Sequence, residues 1–408
     1  MYIQQGCLFS FEEIIKFQPK TKLEMILSEL NFDNLIAELS KSSSSCGPKG
    51  YSIISLINTF IAMKVERIPT LTDLSEKLKT NPVLRYCCGF EVFGKTPSPA
   101  TLSRFLNKLS STTALEKDFH ALVKHAAELG MIDGSKVAID STKIDTYEKA
   151  KPKSKLKKDG KSADWGCKRD TEGNKIKWYG YKLHILCDTQ SELPLSILMS
   201  PASRYDGELA APLITKYQNE YSDIFDTKYY VMDSGYDQMK NYDFVVQNAK
   251  AMPIIAYNKR GEISPPEGFN ENFEPICSMG YPLVYWGKDG NFLKYRCPHI
   301  LGKVDCPQGS CWCSSSNYGY CKKFNLSESS RLISYPPRHS SDYTELYNKR
   351  TSIERCNSRL KDLLDVENNR QAGILQAKTT ALLSCIALIA GTISVNLKQT
   401  KNKILLTA

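Results

Sequence analysis

A chain of 408 residues, 41% hydrophobic and 24% charged, has an ordinary globular composition, which excludes a disordered or fibrous protein and leaves room for two or three domains around a large core. Lys plus Arg number 54 against 44 Asp plus Glu, and the net charge of +10 favours a polyanionic partner without naming one. Met1 to Cys7 carries neither a basic nor an apolar leader, so no signal peptide is expected, and the 14 cysteines are expected to be reduced thiols.

Residues 1–40 read as short helices and the Ser-rich stretch 42–50 as a flexible break. Ile53, Ile54, Leu56, Ile57, Phe60 and Ile61 recur at helical spacing and predict a helix over 51–66. Thr70 or Thr72 is placed to cap a following helix through Leu78. Pro99 suits the first turn of a helix carrying Leu102, Phe105, Leu106 and Leu109. On that helix Arg104 and Lys108 lie one turn apart and point outward together. Short helices joined by tight turns, the last one basic, resemble a helix-turn-helix DNA reader; the competing reading is a plain helical bundle.

From Lys136 the texture changes. Lys136 to Ile139 reads as a short apolar strand ending at Asp140. The lysine-rich stretch 149–161 has too few apolar residues to pack and reads as a loop, either solubilising or a phosphate-attracting arm. Trp178 to Cys187, a turn at 188–192, and Leu193 to Met199 form a hairpin. A helix over Glu208 to Tyr221 follows, then a buried strand, Lys228 to Met232, that ends at Asp233. A helix through Asn248 and a strand over Ala251 to Ala256 complete a mixed sheet flanked by helices, of α/β type.

The stretch that follows is β-rich. Tyr281 to Trp286 and Phe292 to Arg296 flank a Gly-containing turn signal, and Cys277, Cys297, Cys306, Cys311, Cys313 and Cys321 cluster around them. Cys306, Cys311, Cys313 and Cys321 are candidate ligands for one structural Zn²⁺, although their spacing lacks paired CxxC knuckles; the alternative is reduced thiols in a small satellite core. Trp286 and Trp312 read first as core residues of that small domain, and second as platforms for an unpaired base. Tyr347 to Lys361 reads as one helix, with Tyr347, Arg350, Glu354 and Lys361 on one stripe and Leu346, Ile353, Cys356, Leu360, Leu363 and Leu364 on an apolar stripe facing the core. The apolar run Thr379 to Val395 is marginal for crossing a membrane and reads as a buried core helix, so no membrane partner is expected.

Asp140 and Asp233 thus stand at the ends of apolar strands, the edge where ligands gather in α/β sheets, and Glu354 arrives on a late helix. Three convergent carboxylates stay ionised together only when cations screen them. Mg²⁺ or Mn²⁺ with oxygen ligands is the natural answer, and two such ions about 4 Å apart clamp the attacking and leaving oxygens of an in-line phosphoryl displacement. Asp188 reads as a turn former, Asp206 as a helix cap, and His184 as a packed histidine, while Asp145 and Asp237 stand too near stronger candidates to be separated by pattern.

The ordered set of motifs is more specific than any one of them. Asp140-Ser141-Thr142, then Asp233-Ser234-Gly235-Tyr236-Asp237, then Tyr347-x2-Arg350-x3-Glu354-x6-Lys361 resembles the DDE transposases of bacterial insertion sequences that carry a Tyr-Arg-Glu-Lys signature. Gly180 to Asp188, Arg204-Tyr205-Asp206 and Pro99 to Phe105 are similar to the same group. The resemblance implies an RNase H-like core in two parts, residues 131–256 and 335–408, behind a helical DNA-binding domain at 1–130 and around a β-rich insertion at 257–334. It implies Asp140, Asp233 and Glu354 as a triad for two Mg²⁺ or Mn²⁺ ions, with Tyr347, Arg350 and Lys361 on the DNA end, joined by Arg104 and Lys108 on the helix-turn-helix reading. Its expected activity is metal-dependent cleavage of transposon ends and strand transfer in cut-and-paste transposition. The expected partners are double-stranded DNA, as terminal inverted repeats and target, and a second copy of the chain, in the cytoplasm at the nucleoid. The competing functions are a catalytically silent, repressor-like DNA-binding relative and a zinc-stabilised structural module, which would leave the strand-end aspartates unexplained.

Overall fold

The computed structural model describes residues 10–40, 50–150, 152, 160–169, 172–259, 264–309, 312–328 and 330–407. The break at 42–49 and most of the lysine-rich 149–161 stretch therefore lie outside the described residues.

Up to residue 128 the described regular structure is helical: α1 (Phe11–Phe17), α2 (Lys22–Leu27), α3 (Asp33–Ser40), α4 (Ile53–Val65), α5 (Leu71–Thr80), α6 (Pro82–Cys87), α7 (Pro99–Ser110) and α8 (Ala114–Glu128). The sequence sets the starts. Ser10 with Glu13 and Thr21 with Glu24 form reciprocal capping boxes, Thr70 caps α5 by accepting from the Asp73 amide, and Ser98 caps α7 with Pro99 in its first turn.

The sheet begins with β1 (Lys136–Thr146), β2 (Asp164–Arg169), β3 (Lys175–Asp188) and β4 (Pro194–Pro201). It continues through α9 (Ala210–Tyr221), β5 (Tyr229–Met232), α10 (Met239–Asp243), which runs into a π-turn at Phe244–Asn248, and β6 (Met252–Ile255). Strand order is β2-β3-β1-β5-β6, with β4 also on β3. β3 runs antiparallel to β1 and to β4, while β5 and β6 run parallel to β1. β1 is longer than its apolar run predicts. Beyond Asp140 it stays a strand because β3 pairs with it out to Asp145, so Asp140 lies inside the strand and not past its end. Gly180 permits the close approach there, since a Cβ at that position would collide with the Ile144 carbonyl.

A second sheet, β7 (Val284–Asp289), β8 (Phe292–Arg296) and β9 (Cys321–Asn325), is antiparallel and encloses a core of its own, with Phe269, Leu283, Leu293, Tyr295, Leu326 and Ile333. Trp286 and Trp312 lie outside that core; both are exposed, and Trp286 covers the Arg296 guanidinium.

The chain returns through α11 (Ser341–Asn348), α12 (Thr351–Leu364), the short β10 (Asn368–Asn369) on β1, and α13 (Ile374–Thr407). The predicted single helix over 347–361 is two. Around Lys349 the amides of Lys349, Arg350, Ser352 and Ile353 bond three residues back, a tight 3₁₀ turn between two α-helices. Ile353, Cys356, Leu360 and Leu364 of the apolar stripe are buried, but Leu363 is exposed. By length and composition α13 would cross a bilayer, yet it packs against α2, α4, α7, α8, α12 and β4, with Leu383, Cys385, Ile389 and Ala390 fully buried. One continuous core therefore runs from Leu23 through the sheet to Ile393.

Candidate active site

The register of two strands builds the first half of the site. β1 and β5 are parallel neighbours and Ile139 faces Met232, so Asp140 and Asp233 are the next residues along each. Adjacent strands lie about 4.8 Å apart, which brings the two carboxylates side by side. β5 stops at Met232; Asp233 then turns the chain, its Oδ1 accepting the Gly235 amide at 2.9 Å. Crowding shows in their proton affinities. Lost hydration first, then repulsion from Asp233 and Asp206, pushes the Asp140 carboxyl up to about 7, against a smaller pull from Arg350. Lost hydration also raises Asp233, opposed by the Gly235 amide.

α12 supplies the second half. Packed across β1 and β3, it directs the Asn357 side chain at Asp140 Oδ2, at a loose 3.5 Å, and leaves Asn357 Oδ1 without a partner. Arg350, in the tight turn, donates to Glu354 Oε1 at 2.6 Å and lies 5.8 Å from the Tyr347 ring centroid. Its charge also reaches Asp140 and Asp233. The structure thus brings Asp140 and Asp233 together but leaves Glu354, which is 51% exposed, outside the pair and held by Arg350. Tyr347 flanks this group, its phenol raised first by burial. Lys361 does not join it: its ammonium pairs with Glu367 at 2.7 Å.

The other candidates separate clearly. Asp188 is buried and forms its turn, accepting from the Gly134 amide and from both the amide and hydroxyl of Ser191. Asp237 is buried under Arg331, which donates to it at 2.8 to 3.1 Å, and Asp145 pairs with Lys143 at 3.0 Å. Arg104 is exposed, while Lys108 donates to the Leu39 carbonyl at 3.3 Å and so closes the end of α3. Cys306, Cys313 and Cys321 are half-buried free thiols, and Cys311 lies outside the described residues. Among the described residues no three His, Cys, Asp or Glu side chains gather closely enough to hold a metal as they stand, in the insertion or at the carboxylates.

Two neighbours stand inside the quoted motifs but carry no role in the expected triad. Asp206, read first as a cap, lies near enough for its charge to act on both Asp140 and Asp233. Tyr236 is buried at 1% exposure with an unpartnered hydroxyl. Asn357 was legible in one respect: it lies three residues after Glu354 and so shares its side of the helix.

Residues 132–390 match the family model for a transposase DDE domain, and residues 11–108 match a second transposase domain model (DUF772). Among curated proteins, none matches the chain in sequence. A solved structure, the cryo-EM structure of a piggyBac transposase synaptic complex with hairpin DNA, matches over 93% of this chain and 75% of that one at 12% identity and a TM-score of 0.40; so loose a likeness carries no argument. The DDE model spans well over half of the residues, including Asp140, Asp233 and Glu354, and the chain belongs to the DDE transposases, enzymes that cut DNA and transfer its strands.

Proposed function

We propose that this transposase cuts the terminal inverted repeats of an insertion sequence and joins them to target DNA by cut-and-paste transposition, with Asp140, Asp233 and Glu354 as the catalytic carboxylates of an RNase H-like core. The observation that carries the reading is the in-register pair on neighbouring strands, Asp140 within β1 and Asp233 just past β5, with α12 laid over it. A central β1 with antiparallel β3, itself paired to antiparallel β4, on one side and β5 and β6, parallel to β1, on the other supports the fold assignment.

The donor set fits a hard divalent cation, Mg²⁺ or Mn²⁺. Burial raises the proton affinity of both aspartates, Asp233 raises that of Asp140 further, and within this cluster Arg350 is the cation that lowers it. Glu354, paired with Arg350, stands beside the two aspartates rather than on them. Asp140, Asp233 and Glu354 would hold the ions, which when bound activate the attacking oxygen and neutralise the developing phosphate charge.

The remaining roles belong to the chain. Arg350, released from Glu354, offers its guanidinium to a phosphate of the DNA end, and Tyr347 beside it fixes its orientation. Lys361, at the far end of α12, reaches a more distant phosphate. Asn357 keeps the Asp140 carboxylate turned toward the site. Arg104 contributes to DNA affinity from α7. Two copies of the chain bring two element ends together, at the nucleoid in the cytoplasm.

The test is cleavage of a labelled inverted-repeat end with and without Mg²⁺. Asp140→Asn, Asp233→Asn and Glu354→Gln are each expected to abolish cleavage while DNA binding survives. Full cleavage by any of the three removes that residue from the triad, and DNA binding without Mg²⁺-dependent nicking by the unmodified chain returns the reading to a silent, repressor-like relative.

A further inference from the structure

A third aspartate is built against the pair. Asp206 opens a single 3₁₀ turn (Asp206–Glu208) after β4, and this turn packs on the Ser234–Tyr236 turn that follows Asp233. The two are pinned by the Tyr205 hydroxyl, which donates to the Gly235 carbonyl at 2.5 Å. Lys182 Nζ donates to Asp206 Oδ1 at 2.9 Å, and His184 Nδ1 stands 3.9 Å from the same oxygen. Lys182 and His184 alternate along β3, so both leave the sheet on the Asp206 side.

An ordinary ion pair between Lys182 and Asp206 does not account for two buried polar atoms beside it. The Tyr236 hydroxyl, on a side chain 1% exposed, has no partner, and after burial the charges of Asp140, Asp206 and Asp233 raise its proton affinity. His184 Nδ1, also 1% exposed, has no hydrogen bond, its Nε2 being taken by Ser200 Oγ at 2.8 Å. A buried polar atom left unpaired costs roughly 1–3 kcal/mol, so two of them beside a carboxylate cluster mark a place where a further group is held.

We propose that Asp206 is a fourth carboxylate of the cation site, sharing a divalent ion with Asp140 and Asp233, and that Lys182 is the resident counter-ion competing with that ion for Asp206. The Tyr236 hydroxyl would be the group that holds one of these carboxylates in place when a cation is bound. The inference rests on the carboxylate reading of the preceding section and adds one residue to it.

The experiment is Mn²⁺ binding to the full chain without DNA, followed by the Mn²⁺ dependence of the melting temperature and by electron paramagnetic resonance of free Mn²⁺ at one fixed pH. Asp206→Asn is expected to weaken Mn²⁺ about tenfold or more, the scale of losing a group that ligates or orients at a metal site. Lys182→Gln is expected to leave Mn²⁺ affinity equal to or tighter than the unmodified chain, because a competing ammonium is gone. If Asp206→Asn binds Mn²⁺ as the unmodified chain does while Asp140→Asn does not, Asp206 is not a ligand. If both Asp206→Asn and Lys182→Gln lose affinity equally, the pair is structural and the proposal is overturned. If Asp140→Asn and Asp233→Asn keep full affinity, or the unmodified chain shows no Mn²⁺ response, the underlying carboxylate reading fails and this one with it.

Discussion

Asp140 shows most plainly how the fold sets function against stability. Its carboxyl is pushed up to about 7 from an ordinary value of 3.8, so the folded chain binds this proton more tightly than the unfolded chain. A raised carboxylate makes folding less favourable as pH climbs from the unfolded value to the folded one, and the full cost is present above about 7. Three pH units correspond to about 4 kcal/mol, an order-of-magnitude figure. In chelator-containing buffer Asp140→Asn should therefore melt higher than the unmodified chain at pH 8, by an amount that shrinks by about half at pH 5.5. Melting curves at the two pH values check this; an Asp140→Asn chain no more stable at pH 8 than the original would mean the carboxylate is not crowded. Arg350 sits at the same scale. Arg350→Ala should lower single-turnover cleavage by about 10²-fold or more, as expected for a lost charge stabiliser, and Arg350→Lys should recover little because an ammonium cannot reproduce the planar fork. Equal cleavage by the Lys and Arg forms would limit the role to charge.

At the scale of elements, legibility followed local chemistry. The start of α5 at Thr70 and of α7 at Pro99 could be read because caps and first-turn prolines act within three or four residues. The continuation of β1 past Asp140 and the split between α11 and α12 could not. The first depends on a partner strand some forty residues away, and the second on a shift to tighter hydrogen bonds that leaves the periodicity almost intact. The site divides the same way. Asp140, Asp233, Glu354 and Asp206 all stand in the quoted motifs, but the nearness of Asp206 to the pair shows only when two turns are pressed together. The pairing of Lys108 with α3 was invisible for the same reason, and it separates two basic residues the sequence treats alike. Lys108 closes the carbonyl end of α3, so Lys108→Ala should lower stability by about 0.3–1 kcal/mol. Arg104 is exposed, so Arg104→Ala should leave melting unchanged and reduce the slope of log DNA affinity against log salt by about 0.9, the share of one phosphate. A salt slope unaltered in Arg104→Ala would take α7 off the DNA.

At the scale of the whole molecule, α13 decides how separable the parts are. Its sequence alone reads as either a membrane span or a core helix, and the structure shows what occupies its sides: α2, α4, α7 and α8 from the N-terminal region, and β4 and α12 from the catalytic sheet. Glu116 of α8 binds Lys216 of α9 and Lys378 of α13, so a partly buried ion network also crosses the same seam. The insertion differs, with its own core around Leu293 and Tyr295 and a bridge to the catalytic part through Arg331 on Asp237 and Arg338 on the Ile255 carbonyl. Removing residues 1–130 would uncover the apolar side of α13 that packs on α2, α4, α7 and α8, at a cost of several kcal/mol against a total stability of about 5–15 kcal/mol. A fragment of residues 131–408 should therefore be insoluble or rapidly proteolysed, and adding residues 10–130 as a separate chain should restore a protected, cooperatively melting complex. A fragment that melts cooperatively by itself would show that the N-terminal helices are a detachable module, and that the seam seen around α13 contributes little to holding the catalytic sheet in shape.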